Sequence, residues 1–304
     1  MYHLIMKQKY AIILLLITSL IWGFAFVAQS AASDTIGAFT FNGLRFIIGS
    51  AVLAPIAIFT LKKNHKGKEY KYELVRASII CGILLASASM FQQTGIEQGA
   101  SSGKAGFITS LYILFVPVLS LLQGNKISRK TWICVAAGIL GAYLISASGN
   151  SYEGQLKGEL LVLVSAFLFA LHIIAIERLG KGLNGIELSF GQYITAGIIC
   201  SAAMLIVERP ELSAIAPAWI SILYAGAFSC GVAYTLQVIG QKYVAATPAT
   251  LALSLESVWA LIGGTLMLKE RMSASEICGC IILFSAVIAS QINIKKPDHS
   301  FSIT

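Results

Sequence analysis

Charged residues are scarce in this chain, and their scarcity limits what the protein can be. Only 12% of its 304 residues are Asp, Glu, Lys or Arg, whereas a soluble globular domain carries about 25%. Apolar residues make up 57% of the sequence. This balance excludes an ordinary soluble domain and indicates a membrane protein.

The chain also lacks the side chains that a membrane-embedded enzyme needs. Three of its four histidines, His3, His65 and His299, lie outside the apolar stretches, so no HExxH-type pair of metal ligands can form. Asp34 and Asp298 fall in loops or tails and make no buried aspartate pair. All six cysteines lie inside apolar stretches, where a disulfide framework is not expected. We therefore predict no enzyme, no catalytic residue, no metal site and no cofactor.

Ten stretches are apolar over about 20 residues, the length that a helix needs to cross a hydrocarbon core of about 30 Å. They cover residues 10–30, 36–61, 73–94, 102–123, 131–148, 158–177, 186–207, 216–238, 244–268 and 273–293. The apolar run from Tyr10 to Val27 is longer than the core of a secretory signal peptide. The expected fold class is all-α, a polytopic membrane protein with ten transmembrane helices and the lipid bilayer as its surroundings.

Basic residues are distributed unequally over the two sides of this arrangement. With both termini in the cytoplasm, 16 of the 22 lysines and arginines lie inside, five lie outside and Arg45 lies within a span. Because Lys and Arg favour cytoplasmic loops, this predicts a multi-pass protein of the cell (cytoplasmic) membrane with both termini cytoplasmic. The net charge of +8 follows from that placement, and no nucleic-acid partner is expected. The cluster at residues 269–271 is the basic group that this topology places outside.

The two halves of the chain resemble each other. At an offset of 147 residues, "FTFNGLRFIIGS" (39–50) aligns with "IELSFGQYITAG" (186–197), and at 145, residues 98–116 align with 243–261. The repeat has five spans per unit, which predicts a first domain at 1–148 and a second at 149–304. An odd number of spans inverts the second copy, as in many secondary transporters.

Several motifs carry a family resemblance. They are "LIWGFAFV" in the first span, "LRFIIGS" in the second, "GKAGFITSLYILFVPVLSLL" in the fourth and "LSLESVWALIGGTLMLKE" in the ninth. In order and spacing the chain resembles the EamA family of the drug/metabolite transporter superfamily. The resemblance implies transport of small metabolites, often amino acids, commonly outward and without ATP. Family members usually carry a proline after the ninth-span glutamate, and Ser257 at that position weakens the expectation of a helix break after Glu256.

Two charged residues lie near the middle of predicted spans. Glu256 shares a helix face with small residues such as Ala252 and Ala260, so it should point into the protein. Arg45 lies roughly 13 Å from one end of its helix and Glu256 roughly 16 Å from the end of its own, near the depth at which transporters hold substrate. We interpret Arg45 as binding a substrate carboxylate and Glu256 as taking an ammonium group or a proton. A buried ion pair that only fixes packing is the alternative.

Weaker candidates share polar or aromatic side chains inside the spans. The predicted substrate-binding residues besides Arg45 and Glu256 are Asn42, Tyr112, Gln192, Tyr193, Trp259 and Trp22. His172, the only histidine in a span, is the second proton-coupling candidate beside Glu256. Each of these is also explained by an interhelical hydrogen bond or by packing. We expect a polar chamber walled by the second, fourth, seventh and ninth helices.

The predicted function is a secondary transporter, an exporter of small metabolites such as amino acids across the cytoplasmic membrane by alternating access. The alternative is a membrane-embedded enzyme, or a channel that uses no ATP. The expected partner is a small-molecule substrate. The sequence leaves open the substrate, the direction, proton coupling and whether two copies form a homodimer.

Overall fold

The computed structural model describes residues 2–63, 67–146, 155–268 and 273–291, and all regular structure there is helical. The α-helices are α1 Tyr2–Ser33, α2 Ala38–Lys63, α3 Lys68–Glu97, α4 Ser102–Ser110, α5 Tyr112–Leu122, α6 Arg129–Ser146, α7 Gln155–Leu179, α8 Gly185–Ala203, α9 Leu212–Ile215, α10 Trp219–Leu223, α11 Thr235–Gly240, α12 Ala246–Leu253, α13 Glu256–Leu268 and α14 Ala274–Gln291. Wider π-helical turns occupy Met204–Glu208 and Tyr224–Tyr234, and a 3₁₀ turn occupies Ala216–Ala218.

Within the described ranges, eight helical segments are long and apolar enough to cross a membrane. They are Lys7–Ser33, Ala38–Lys63, Lys68–Glu97, Ser102–Leu122, Leu156–Leu179, Gly185–Glu208, Leu212–Gly240 and Ala246–Gly263. This confirms an all-helical, polytopic membrane protein. The predicted fifth and tenth spans are helical as α6 and α14, the latter with the shorter apolar segment Ile277–Ser290. That these two complete a set of ten spans stays a prediction, and residues 269–271 lie outside the described part of the chain.

Two of the membrane-crossing segments are interrupted in the middle. Leu111 separates α4 from α5, and residues 254–255 separate α12 from α13. The ninth span, predicted over residues 244–268, is therefore broken directly before Glu256. Serine hydroxyls donate back to the preceding turn at both breaks, from Ser110 to the Phe107 carbonyl at 2.7 Å and from Ser254 to that of Leu251 at 2.8 Å. Such bonds compete with the helical pattern and bend helices.

Helix pairs join the two halves of the chain throughout the bundle. Helix α3 packs on α7 and α8, α2 on α8, α1 on α13 and α6 on α14. The α3–α7 contact is closest at Gly95 and Gly158, where a Cβ added to either glycine would come within 2.6 Å or 2.5 Å of the other's carbonyl oxygen. Absence of a side chain on both residues allows the two backbones to touch. The core that surrounds the site is therefore built by both halves together.

Candidate functional site

A cavity lies between the helices of both halves. About 400 Å³ of space between atoms, its open part included, belongs to it. The polar part of its wall consists of Gln29, Arg45, Gln92, Thr109, Tyr112, Ser229, Gln237 and Glu256. Aromatic rings complete the wall and are contributed by Trp22, Phe26, Phe169 and Tyr234. Polar groups that converge in a concave, mainly apolar site are typical of small-molecule binding.

Glu256 and Tyr112 meet across the cavity. The Tyr112 hydroxyl donates to Oε1 of Glu256 at 2.8 Å, and each residue is only 2% exposed. Glu256 is the first residue of α13 and Tyr112 the first of α5, so each follows directly on a helix break. A carboxylate in the first turn of a helix is favoured by the helix dipole. The two breaks thus bring one acid and one phenol together inside the protein.

Arg45 reaches the same cavity but does not pair with Glu256. It is 1% exposed, and its Nε and Nη2 atoms have no hydrogen-bond partner among the residues that the structure describes. The guanidinium lies 5.0 Å from the ring centroid of Phe46 and 5.5 Å from that of Phe41. Cation–π contacts supply only about 1–2 kcal/mol, much less than burying a cation costs. An anion placed in the cavity would satisfy the two nitrogens.

Trp22 and Tyr234 form an aromatic pair in the cavity wall. Their ring centroids lie 4.5 Å apart, and within the described part of the chain the buried Trp22 Nε1 has no hydrogen-bond partner. Oε1 of Gln29 and Oε1 of Gln237 are unpartnered in the same way. Since amide oxygen and nitrogen atoms can exchange places, these glutamines can serve as donors or acceptors. The cavity therefore offers a ligand several unused polar groups beside its charges.

Two of the predicted binding residues are held by backbone groups away from the cavity. The Asn42 amide donates to the carbonyls of Ala38 at 2.8 Å and Ser89 at 3.1 Å. The Tyr193 hydroxyl donates to the Cys230 carbonyl at 2.6 Å. Both side chains are fully buried. Neither lies in the wall of the cavity, and their role in binding stays a prediction.

Three further candidates are also placed outside the cavity wall. His172 Nε2 and Gln192 Oε1 lie 3.0 Å apart in a buried pair, and the His172 ring meets Tyr234 edge to face at 6.2 Å. Trp259 packs edge to face on Phe284 at 6.1 Å, toward α14. The Tyr234 ring, which is part of the cavity wall, thus contacts His172. A proton-coupling role for it stays a prediction.

The walls differ from the expected set of helices. In the numbering of the ten predicted spans, Arg45, Tyr112 and Glu256 come from the second, fourth and ninth. The seventh, Gly185–Glu208, contributes no wall residue, whereas the first, third, sixth and eighth do. Sequence reasoning missed Gln29. It lies one helical turn after Ala25 and Phe26 and two turns after Trp22, so the spacing on α1 carried the signal.

Comparison with known proteins places the chain in a family. The model of the EamA-like transporter family matches residues 9–147 and again residues 156–290. The chain belongs to the EamA-like transporter family. Among the described residues no group of three or more His, Cys, Asp or Glu could hold a metal ion.

Relatives of this EamA-like transporter cover almost its whole length. An uncharacterized transporter of Archaeoglobus fulgidus is 28% identical over 283 residues, 93% of this chain and 86% of that protein. The uncharacterized transporter YoaV of Bacillus subtilis is 25% identical over 282 residues, 91% and 95% of the two chains. The uncharacterized inner membrane transporter YedA of Escherichia coli is 23% identical over 281 residues, 89% and 87% of the two chains.

One solved crystal structure is similar in fold, with a TM-score of 0.75 and 15% identity, covering 93% of this chain and 96% of that one. The family match and the relatives' names identify the protein as a membrane transporter rather than an enzyme, as its sequence predicted.

Proposed function

We propose that this EamA-like transporter is a secondary transporter that exports small zwitterionic metabolites, such as amino acids, across the cytoplasmic membrane by alternating access. The observation that carries the proposal is that Nε and Nη2 of Arg45, which are buried without a hydrogen-bond partner among the described residues, share one cavity with the carboxyl of Glu256. A zwitterion presents both complementary groups. Its carboxylate would bind Arg45, and its ammonium group would bind Glu256.

The chemistry of the empty site explains why a substrate should bind there. A buried cation without hydrogen-bond partners is costly, and a bound carboxylate removes that cost through charge-assisted bonds to a planar, forked donor. Glu256 already accepts one bond from Tyr112 and has a second oxygen for a donor of the substrate. The neutral amides of Gln29 and Gln237 would bind the uncharged polar groups.

An inverted repeat of two five-helix units, residues 1–148 and 149–304, is the architecture that we propose. Two separate family matches fall on either side of that boundary. The α3–α7 pair joins the third span of the first half to the first span of the second half. Its counterpart under an inverted repeat joins α1 to the third span of the second half, and α1 does pack on Tyr224–Tyr234 and α11 of that span. The break at Leu111 corresponds to Glu256 at the offset of 145 residues, next to the second break. These relations support a two-fold axis through the cavity.

Both termini should lie in the cytoplasm. The reason is the placement of 16 of the 22 basic residues on that side. Tags fused to either end should resist a protease added outside intact cells, and a cysteine introduced at residues 269–271 should react with an impermeant reagent from outside. Reaction of that cysteine only from the cytoplasm would contradict the topology.

Transport itself should be tested in sealed vesicles that contain the purified protein. We expect efflux of at least one amino acid to saturate with concentration, and to change when a pH gradient is imposed. A panel of amino acids, dicarboxylates without an amino group and nucleobases identifies the substrate class. Efflux of nucleobases alone would exclude the pairing with Arg45 and Glu256, and flux without saturation would indicate a channel.

A further inference from the structure

The first turn of α2 is held by acidic side chains from two other helices. Backbone N–H groups of Phe39 and Thr40 donate to the two carboxylate oxygens of Glu208, at 2.8 Å and 2.6 Å, and the Thr40 hydroxyl donates to the second oxygen at 2.5 Å. The Ala38 N–H donates to Glu97 at 3.2 Å. The first N–H groups of a helix lack partners within it. Here all three are bound by carboxylates, and we name this arrangement the outer clamp.

The local backbone geometry places Glu208 beside the first turn of α2. The residue ends the π-helical turn Met204–Glu208, where Arg209 N bonds to the Met204 carbonyl at 2.8 Å and Arg209 adopts the left-handed conformation with φ 46°. A π turn widens the helix and is frequent at functional positions. On the opposite side, a Cβ on Gly37 would lie 2.3 Å from Oε1 of Glu208. Only glycine at that position leaves space for the carboxylate.

An apolar cluster closes the bundle between the outer clamp and the cavity. Its buried members are Ala32, Ile36, Phe41, Ala218, Ile222 and Ala225. Ala32 lies one helical turn beyond Gln29, and Ala225 one turn before Ser229, and both Gln29 and Ser229 line the cavity. The cluster thus separates the cavity from the end of the bundle at which α2 begins. In the proposed topology this end faces outward.

The opposite end of the α2–α8 helix pair is capped in a different way. Helix α8 starts there, and its first N–H groups, those of Ile186 and Glu187, donate to the side chain of Asn184 directly before it. That cap belongs to α8 itself and does not depend on another helix for these two bonds. The caps of α2, by contrast, come from the ends of other helices. Separating the outer ends of the helices would therefore break the bonds to α2.

We propose that Glu208 is a gate residue, whose carboxylate keeps the outer end closed and must release the first turn of α2 before the cavity opens outward. The inference rests on the alternating access proposed above, but it concerns the closure and not the binding site. Removing the carboxylate should shift the protein toward outward-open states. The stability lost with a helix N-cap typically corresponds to a factor of about 5 to 30 in an equilibrium constant, and we expect a change of that size in the ratio of outward-open to outward-closed protein.

A single cysteine in the cavity wall can report this shift. Ala25 is small, 1% exposed and part of the wall, so Ala25→Cys disturbs the packing little. In the full-length chain reconstituted in vesicles, its reaction with a membrane-impermeant maleimide is timed with the reagent added outside or enclosed inside. The same chain without Ala25→Cys gives the background from native cysteines. We expect Glu208→Ala to raise labelling from outside about 5- to 30-fold and to lower labelling from inside.

Further variants separate the gate from a general loosening of the fold. Glu208→Gln keeps an acceptor and should have a smaller effect, and Thr40→Val, which removes one donor, a smaller effect still. Glu211→Ala, which changes an exposed acid three residues along the chain, is the matched control and should change neither rate. Faster labelling from both sides would mean that Glu208 only prevents fraying, and unchanged rates would mean that it is only a cap; either result overturns the proposal. Because this labelling experiment uses no substrate, it tests the gate even if the transport experiment fails.

Discussion

Alanine in place of Arg45 should weaken substrate binding by about 10- to 150-fold. Hydrogen bonds to a charged group contribute about 1.5–3 kcal/mol each, and 1.4 kcal/mol corresponds to a factor of ten. Binding of the substrate found in the vesicle panel would be measured on the purified protein in nanodiscs. Arg45→Lys keeps the charge but lacks the planar fork, so its affinity should lie between the two. Arg76→Ala removes a surface arginine whose side chain is half exposed, and should have no effect.

Thermal stability distinguishes this function from a structural role of Arg45. If the guanidinium were half of a structural ion pair, its removal would destabilise the fold by about 3–5 kcal/mol. Because Nε and Nη2 have no partner, we expect the substrate-free Arg45→Ala protein to be as stable as the parent or more stable. A large fall in melting temperature together with unchanged affinity would show that Arg45 acts through packing on Phe41 and Phe46.

Glutamine in place of Glu256 should abolish the response of transport to a pH gradient and weaken substrate binding by about tenfold, because its amide oxygen still accepts from an ammonium group but carries no negative charge. Glutamine has a similar shape and can still accept from the Tyr112 hydroxyl, but it cannot exchange a proton. One proton per cycle and a gradient of two pH units would allow the parent about 100-fold accumulation, since each unit corresponds to 1.36 kcal/mol. The variant should reach no accumulation from that gradient. Vesicle transport between pH 5.5 and 8 measures both proteins.

Two other variants complete the comparison. Glu159→Gln changes an acid that pairs with Lys104 at 2.9 Å and is partly exposed, and should keep the parental pH profile. Tyr112→Phe removes the hydroxyl but leaves the Glu256 carboxyl, and should keep a response to the gradient. A parental pH profile in Glu256→Gln would mean that the glutamate serves only to join α5 and α13 through Tyr112.

Much of the fold and the centre of the site could be predicted from the sequence. Scarce charge and long apolar stretches are enough to indicate a membrane-spanning helical protein, and the cost of burying Arg45 and Glu256 marks them as special. The break before Glu256 could not be predicted in this way. It contains neither glycine nor proline, and the serine hydroxyls that bond to the preceding turn beside it also make such bonds within uninterrupted helices, as Ser19 does in α1.

Helical periodicity is also insufficient to tell which buried face meets a cavity. Asn42 and Arg45 are three residues apart on α2, so they share a face, yet the Asn42 amide bonds to the Ser89 carbonyl of α3 while Arg45 lines the cavity. Trp259 follows Glu256 by three residues but packs toward α14 on Phe284. In a core with helices on all sides, neighbours decide between burial against another helix and burial against a cavity, and a single sequence does not contain those neighbours.

The backbone contact between Gly95 and Gly158 restricts how the protein can move. The two residues belong to different halves of the chain, and neither carbonyl has space for even a methyl group on the opposite glycine. Sliding one half past the other as a rigid block would push bulkier neighbours into that gap. Helices α3 and α7 should therefore move together as one rigid unit. The bending that exposes the cavity would then occur in the interrupted helices, at Leu111 and at residues 254–255. Tyr112 and Glu256 would therefore lie at the hinges of this motion as well as in the binding site.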